Sequence, residues 1–339
     1  MNYSNDSVGH NDIISAVYWY GSIVAIVVFS IGIATNFFLL YIFIFQQYFH
    51  KSTYFLMLIS SCSDILSIGC SLFAYVLATS NLVDFYSGTI ACKIVMYTVA
   101  TSYTISIFNL CLIAVDRYFA VVRLHIRWYR TYKVKILVGV EIVIWLIAAS
   151  INIPFVSYIG VHPEDTVLCD ILNITTLVCF HLFLLVLVGY IIPSIIIAFF
   201  YWKIILHQKR YIRPGQVSNQ QRLQQQAQKR KFIQMLATVA GSFILFTWPM
   251  FATVTGIAIT RKSFIQLQRE NVAIFLLSYF SLLATTSITV INPLLYIKFD
   301  RNIRQQFLKI IQFLDITGSN KTQQSTTVIS VSNRASNPS

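Results

Sequence analysis

The chain has 339 residues, of which 56% are apolar and only 11% are charged. Soluble domains carry about a quarter charged residues, so this composition excludes a water-soluble globular protein and indicates a membrane protein. The formal net charge is +13, and we attribute it to membrane topology and to attraction between the chain and anionic membrane lipids. Nucleic-acid binding is not needed to explain it.

Seven apolar runs follow one another along the chain, and each is long enough to cross about 30 Å of hydrocarbon as a helix. The runs are continuous rather than alternating, which argues against a β-barrel. Mostly short loops join them, so the sequence predicts an all-α membrane protein, a seven-transmembrane helix bundle. The predicted spans are Trp19–Phe45, Tyr54–Thr79, Ile90–Val122, Lys135–Ser157, Leu177–Leu206, Lys231–Ile259 and Val272–Ile297.

The basic residues predict the orientation of this bundle. Lys and Arg are concentrated between spans three and four, between spans five and six, and after span seven. By the positive-inside rule these segments are cytoplasmic, which places the polar N-terminal tail, residues 1–18, outside the cell and the C-terminus inside. The first 12 residues contain no Lys or Arg, so no cleavable signal peptide is expected. On the outer side, glycosylation sequons begin at Asn2, Asn5 and Asn173.

The six cysteines fall into two groups. Four lie within the apolar spans, where a buried free thiol is the expected state. Cys92 opens the third span and Cys169 lies in the loop before the fifth, both on the oxidising outer side. A disulfide between these two residues is therefore chemically allowed.

Polar side chains at membrane depth are costly, so each is a candidate functional residue. Asp64 lies in the middle of span two, and spans one, three and seven contribute Asn36, Ser106 and Asn292. Together they offer the oxygen ligands that a hard cation such as sodium prefers. The alternative is a buried hydrogen-bonded network without an ion.

Two further features lie near the inner ends of the spans, and a third, a set of prolines, lies inside or near the ends of four spans. Glu141 is in span four, where we expect its carboxylate to reach towards water or Lys135, without a function. Asp116-Arg117-Tyr118 closes span three, and its arginine either extends to lipid headgroups or forms a paired switch. Kinks are expected at four prolines, which remove backbone donors: Pro154, Pro193, Pro249 and Pro293.

Taken in order, these residues resemble the rhodopsin-like (class A) G-protein-coupled receptors. The most specific matches are Asp116-Arg117-Tyr118 at the end of span three and the sequence NPLLY, residues 292–296, at the end of span seven. Further matches, one or two in each of spans one to six and one in the second outer loop, are Asn36, Asp64, Cys92, Trp145, Cys169, Pro193, Tyr201 and Pro249. The resemblance covers about Trp19 to Phe313.

This resemblance implies a plasma-membrane receptor rather than an enzyme, with a receptor domain over residues 19–298. Its implied partners are an extracellular ligand, a heterotrimeric G protein, arrestin and a receptor kinase. It also implies a disulfide between Cys92 and Cys169. A ligand would favour an outward movement of span six at the inner face, and the implied switch residues are Asp116, Arg117, Tyr118, Tyr201, Pro249, Pro293 and Tyr296.

After span seven, Phe299, Ile303 and Phe307 recur every four residues with polar residues between them. This pattern predicts a short amphipathic eighth helix over residues 299–314 along the inner leaflet. The Ser/Thr-rich end, residues 315–339, is predicted to be a disordered cytoplasmic tail with candidate phosphorylation sites.

Two departures from the family pattern concern activation. The span-six tryptophan stands one residue late, at Trp248. Because one residue is about 100° of helix, Thr247 is expected at the pocket floor in its place. Residues 228–231 read Gln-Lys-Arg-Lys, where some relatives carry an acid that holds the arginine of span three. We therefore expect a weaker inactive lock on Arg117 and some basal activity.

The ligand pocket is predicted to be mostly apolar. Val99 stands where amine receptors carry an aspartate, and Thr286 where opsins carry the retinal lysine, so neither a monoamine nor retinal is expected. Charged residues lie higher, in the second and third outer loops, which favours a peptide-like ligand, with a lipid-like ligand second. The expected pocket wall, for which plain helix packing is the alternative, is Val99, Tyr103, Met250, Phe251, Val254 and Leu282.

A multi-span transporter with a buried ion-coupling aspartate is the alternative class of protein. Such transporters normally have inverted repeats and broken helices in both halves, and neither is visible in this sequence. For an intramembrane enzyme, His181 is the only histidine near the interior of a span, and packing is expected for it rather than catalysis.

Overall fold

The computed structural model describes residues 3–80, 84–123, 126–210, 220–310 and 312. Asn2 and the tail at residues 315–339 lie outside these residues, as does the side chain of Asn5. The predictions made for them therefore stay predictions.

Seven stretches of the described chain are helical, long and apolar enough to cross a membrane, and they lie where the sequence predicts them. Large side chains such as Leu146, Leu177 and Leu277 are more than half exposed, as expected for a surface that lipid tails cover. The seven-helix bundle is thus confirmed. The stretches are Trp19–Phe45, Ser52–Thr79, Phe85–Val121, Thr131–Tyr158, Thr176–Lys209, Arg230–Thr260 and Val272–Phe299.

Several helices continue beyond the apolar stretches that they contain. Spans one to four are formed by α1 to α4, span five by α6 and α7 together, span six by α8 and span seven by α10. The helices are α1 (Tyr3–Phe45), α2 (Ser52–Ser80), α3 (Phe85–Val121), α4 (Arg127–Asn152), α5 (Phe155–Tyr158), α6 (Thr176–Val186), α7 (Ile192–Arg210), α8 (Gln220–Thr260), α9 (Phe264–Glu270), α10 (Val272–Phe299) and α11, residues 301–310. The described part of the predicted eighth helix, α11, is helical.

The four prolines at which kinks are expected lie at helix interruptions or inside helices. In span five a π-helical turn, Leu187–Ile191, separates α6 from α7. Pro193 follows it and cannot donate a backbone hydrogen bond to the carbonyl of Gly189, which explains an interruption at this point. Pro154 lies between α4 and α5, whereas Pro249 and Pro293 lie inside α8 and α10.

The second outer loop forms a β-hairpin, which the sequence analysis did not predict. Strands β1 (Ile159–His162) and β2 (Asp165–Ile171) are antiparallel, with Ile159 opposite Ile171 and Gly160 opposite Asp170. The buried side chains of the hairpin pack in one cluster with Cys92 and with the outer ends of α6 and α8. The hairpin therefore covers the outer end of the bundle.

Asn36 is buried in α1 and joins that helix to α10. Its Nδ2 donates a hydrogen bond to the carbonyl of Gly32 (2.9 Å) and another to the carbonyl of Thr289 (3.0 Å). One turn away, Gly32 allows the two helices to approach closely, since a Cβ there would lie 2.6 Å from Cγ2 of Val290. A small residue is needed at this helix contact.

We expect Gly32→Ala to destabilise the bundle, because the added methyl group requires α1 or α10 to move. The free energy of unfolding should fall by roughly 1–3 kcal/mol, the range for overpacked interior positions. The measurement is the apparent melting temperature of the purified protein in detergent.

Gly69→Ala is the matched control, since a Cβ at that position meets nothing within 4 Å. Its melting temperature should equal or exceed that of the wild type, because alanine favours a helix more than glycine does. Equal melting temperatures for the two variants would contradict the close approach of α1 and α10.

Candidate functional site

A polar layer lies in the middle of the bundle around Asp64, which is buried. The hydroxyl of Ser106 donates to Oδ1 of Asp64 over 3.2 Å, and the side chain of Asn292 is also hydrogen-bonded to this aspartate. Oδ1 of Asn292 is buried and has no hydrogen-bond partner among the described residues. Three of the four predicted residues are therefore brought together, whereas Asn36 bonds to backbone carbonyls instead.

A second polar group closes the inner end of α3. The carboxylate of Asp116 is fully buried and pairs with Arg117, as the sequence predicts. It also accepts an ion pair from Lys133, whose Nζ lies 2.6 Å from Oδ1, and a hydrogen bond from the hydroxyl of Tyr129 over 2.8 Å. Burial and the Asp116 carboxylate raise the pKa of Tyr129, so its hydroxyl stays a donor.

Lys133 and Tyr129 come from the beginning of α4, and the sequence analysis did not assign them to this site. Two cations, Arg117 and Lys133, therefore share the carboxylate of Asp116. Its single negative charge cannot neutralise both of them. Of the other switch residues, Tyr118 packs against Phe200 with ring centroids 5.2 Å apart. Tyr201 and Tyr296 belong to one buried cluster at the inner half of the bundle.

At the outer end, a disulfide joins Cys92 at the start of α3 to Cys169 in β2, with the Cα atoms 5.6 Å apart. The next residue, Asp170, is buried and accepts hydrogen bonds from the backbone N–H groups of Phe264 (2.9 Å) and Ile265 (3.1 Å). Nε2 of His162 lies 3.3 Å from the same carboxylate. Two successive residues of β2 therefore hold the hairpin to α3 and to the third outer loop.

The polar layer, the group at Asp116 and the disulfide lie in the helices where the resemblance to rhodopsin-like receptors predicts them. A comparison with known protein families gives the same family. The family described as 7 transmembrane receptor (rhodopsin family) matches residues 35–296. The chain belongs to that family. Members of the family are receptors and not enzymes, so the protein is a multi-pass receptor of the plasma membrane. This membership favours the receptor over the transporter interpretation.

The middle of the receptor's outer half is filled by aromatic side chains. Tyr103 of α3 packs against Phe251 of α8, with ring centroids 5.4 Å apart, and its hydroxyl donates to Oγ1 of Thr247 over 3.4 Å. Tyr190, in the π-helical turn, stacks on Phe251 at 4.8 Å; the sequence analysis missed this residue. The remaining members of the expected pocket wall are half-buried: Val99, Met250, Val254 and Leu282.

The shift of the span-six tryptophan has the predicted structural consequence. Thr247 is completely buried under Tyr103, whereas Trp248 is 53% exposed on the outside of the bundle. The receptor therefore has a threonine where the family's tryptophan usually lies, at the floor of the aromatic group formed by Tyr103, Tyr190 and Phe251.

A large cavity opens at the inner face of the receptor. Its volume is about 1660 Å³, and Arg117 contributes to its lining. Of the described residues that line it, Asp300 is the only acid, against eight basic residues: Lys51, Arg117, Lys209, Arg230, Lys231, Lys298, Arg301 and Arg304. A protein segment that enters this cavity would therefore need acidic groups or a helix C-terminus to match the positive charge.

Asp300 is engaged in a contact that the sequence analysis did not predict. It accepts a 2.7 Å hydrogen bond from the hydroxyl of Tyr54 in α2, and both residues are buried. Its other oxygen caps α11 by accepting from the backbone N–H groups of Asn302 and Ile303. The Tyr54 ring lies 5.9 Å, centroid to centroid, from the ring of Phe232, near the inner end of span six. Span six therefore packs against a tyrosine whose hydroxyl is held by Asp300.

His181 is a further polar residue of the receptor, and packing rather than catalysis is expected for it. Nδ1 of His181 lies 2.7 Å from the Tyr158 hydroxyl, and Nε2 lies 2.8 Å from the Ile151 carbonyl. Both ring nitrogens of His181 are thus engaged in hydrogen bonds within the bundle.

The expectation that Glu141 reaches water or Lys135 was wrong: Glu141 is 3% exposed. It shares the buried face of α4 with Leu137, one turn away, so its side chain points into the bundle.

We expect Asp170→Ala to detach the third outer loop from the hairpin, because two backbone N–H groups of α9 lose a charged acceptor. Such a loss costs about 1–3 kcal/mol. Amide hydrogen exchange measured by mass spectrometry over residues 263–270 should therefore become roughly tenfold faster or more.

Glu164→Ala is the control for this measurement. It removes an acid of the same hairpin whose ion pair with Arg269 is largely exposed, and exposed pairs contribute little. If the Asp170 variant kept wild-type exchange rates in residues 263–270, the proposed attachment would be wrong.

Proposed function

We propose that this receptor binds an extracellular peptide-like ligand and activates heterotrimeric G proteins at its inner face. The observation that carries the proposal is the placement of Arg117 at a large basic cavity, next to the buried carboxylate of Asp116. The proposed receptor has its N-terminus outside the cell and its C-terminus in the cytoplasm. Arrestin and a receptor kinase would bind it on the cytoplasmic side. Asn173 lies on the outer side with the hairpin, where a glycan can be added.

In the proposed mechanism, ligand binding favours an arrangement in which the inner end of α8 moves away from α2. The ring of Phe232 against Tyr54 opposes this movement, whereas the hydrogen bond from Arg230 to the carbonyl of Gln208 (3.3 Å) holds α8 to α7. Pro249 supplies a backbone position without a hydrogen-bond donor at which α8 can bend. Pro293 does the same in α10.

Tyr201 supports a second arrangement of the same helices. Its hydroxyl is buried and has no hydrogen-bond partner among the described residues, which costs free energy. A rearrangement that lets this hydroxyl pair with Tyr296 or Arg117 would recover that cost. Because coupling between binding sites is reciprocal, G protein bound inside would then tighten ligand binding outside.

A peptide-like ligand is favoured by the chemistry of the outer end. The hairpin and the third outer loop present Glu164, Arg261 and Arg269 to the outside, whereas the aromatic group below them is apolar. A ligand with polar ends and apolar side chains matches both levels. A monoamine would lack a counter-ion, because position 99 is a valine. A lipid-like ligand, the second candidate, would use the aromatic group alone.

A sodium ion is proposed as a regulator at Asp64. The carboxylate of Asp64, the hydroxyl of Ser106 and the unpartnered Oδ1 of Asn292 are oxygen donors of the kind that a hard cation takes. These three residues would hold the ion. A bound sodium ion would stabilise the arrangement that brings α2, α3 and α10 together.

The wild-type receptor should show basal activity, since no ion pair among the described residues holds span six to the rest of the bundle. Second-messenger output without ligand should exceed that of Arg117→Ala at equal surface expression. Tyr54→Phe should raise the output further, because loss of its hydrogen bond shifts the equilibrium roughly two- to tenfold.

Tyr41→Phe is the control, because Tyr41 is half exposed on the outside of α1. It should leave the basal output unchanged. Equal output from the wild type and Arg117→Ala would contradict basal activity, and a Tyr54→Phe output equal to the control would contradict the role of Tyr54.

Sodium should raise the apparent melting temperature of the purified receptor when it replaces N-methyl-D-glucamine at equal ionic strength. At a sodium concentration about ten times the dissociation constant, the added stability is about 1.4 kcal/mol. Asp64→Asn should abolish this difference, and Ser106→Ala should reduce it. A sodium effect of the same size in the wild type and in Asp64→Asn would exclude the site.

A further inference from the structure

A second cavity lies at the outer face, between the hairpin and the third outer loop. Its volume is about 410 Å³. Hairpin residues such as His162 and Glu164 line one side, and Arg261 and Arg269 line the other. Among the described residues that line this cavity, two guanidinium groups face one carboxylate, that of Glu164, which gives the cavity a surplus of positive charge.

Arg261 has a backbone conformation that does not suit an arginine. Its φ angle is 56°, in the left-handed region, and it is the only described residue other than glycine with a positive φ. It directly follows the last residue of α8, and its N–H bonds to the carbonyl of Ile257 (2.9 Å), a position where glycine is usual. Since glycine would fit the backbone better, the arginine is explained by its side chain.

The Arg261 guanidinium is available to a ligand. It is exposed, and the hydroxyl of Thr176 accepts a hydrogen bond from it over 3.3 Å. Within the described parts of the chain, no carboxylate lies at ion-pair distance from it. A guanidinium group with free donors binds a carboxylate through two parallel hydrogen bonds.

Arg269 on the same side of the cavity already holds a carboxylate, that of Glu164. The side chains of this pair are 66% and 77% exposed, and such exposed pairs contribute little to stability. A second carboxylate that enters the cavity can therefore replace Glu164 at small cost. The pair also demonstrates that the cavity's geometry admits a carboxylate.

We infer that this cavity binds a carboxylate group of the receptor's ligand, held by Arg261 and Arg269. The inference rests on the proposed function, because it assigns a carboxylate to the peptide-like ligand. The group is either the free C-terminus of a peptide or the side chain of an aspartate or glutamate. Asn173 also lines the cavity, so a glycan on this residue would compete with the bound group.

The test uses the full-length receptor, produced in a host that adds no N-glycans and placed in phosphatidylcholine nanodiscs. The probes are a random octapeptide library with free C-termini and the same library with amidated C-termini, and retained peptides are counted by mass spectrometry. The wild type should retain carboxylate-bearing peptides roughly 10- to 100-fold better than peptides without a carboxylate, the range for hydrogen bonds between charged groups.

Arg261→Gly should abolish this preference while its melting temperature stays at or above that of the wild type, because glycine relieves the left-handed conformation. Lys262→Gln is the matched control: it removes the neighbouring cation, which pairs with Glu270, and should keep the preference. Free C-termini retained above all others, or acidic amidated peptides retained equally well, would each support the inference and identify the source of the carboxylate.

Three results would overturn the inference: no preference in the wild type, the same preference in Arg261→Gly, or an equal loss in Lys262→Gln. Nucleotide exchange on purified G proteins, with the retained peptides added, is measured separately. Binding with the expected preference but without exchange would contradict only the proposed signalling. Exchange stimulated by peptides that lack a carboxylate would contradict only the present inference.

Discussion

Hydrocarbon offers no hydrogen-bond partners, so a polar side chain in this bundle can gain hydrogen bonds only from other parts of the protein. The consequence is that buried polar residues join helices to one another. Asn36 connects α1 to α10, Asn109 connects α3 to α2, and Asp64 collects donors from α3 and α10. Movement of one helix therefore changes the hydrogen bonds of its neighbours, which is the physical basis for coupling the two faces of the receptor.

At the inner end of the bundle, the charged contacts of Asp116 do not include span six. Asp116 satisfies its charge with Arg117 and Lys133, both near the α3–α4 junction, and neither contact involves α8. The inner half of α8 is held by apolar packing in the core cluster, where Ile233 and Leu236 are buried. At its inner end it adds a ring contact between Phe232 and Tyr54 and one hydrogen bond to a backbone carbonyl. Ring contacts are individually weak, so separating α8 from α2 costs less than breaking a buried ion pair would.

Local patterns in the sequence predicted the spans, the order of the helices and the inward position of Thr247 in place of Trp248, because these depend on periods of one helix turn or one membrane thickness. Contacts between distant segments could not be predicted in this way. Tyr54 and Asp300 are 246 residues apart, and Lys133 reaches Asp116 only because of the way the chain turns before α4. The hairpin was missed because its stability comes from packing on Cys92 and the bundle. Glu141 was misplaced because its neighbours on the helix face, rather than its depth, determine its environment.

The outer end gives the ligand a mechanical connection to the switch below. Cys169 fixes the hairpin to α3, and Asp170 fixes the same strand to α9, between spans six and seven. Arg261 directly follows α8, the helix that carries Phe232 near the inner end of span six. A ligand group that binds Arg261 and displaces Glu164 from Arg269 therefore acts on the loop that joins spans six and seven. It can shift the receptor's equilibrium only if these contacts differ between the two arrangements of α8. An exposed ion pair and a left-handed arginine are suited to such a difference, because little stability is lost when either one rearranges.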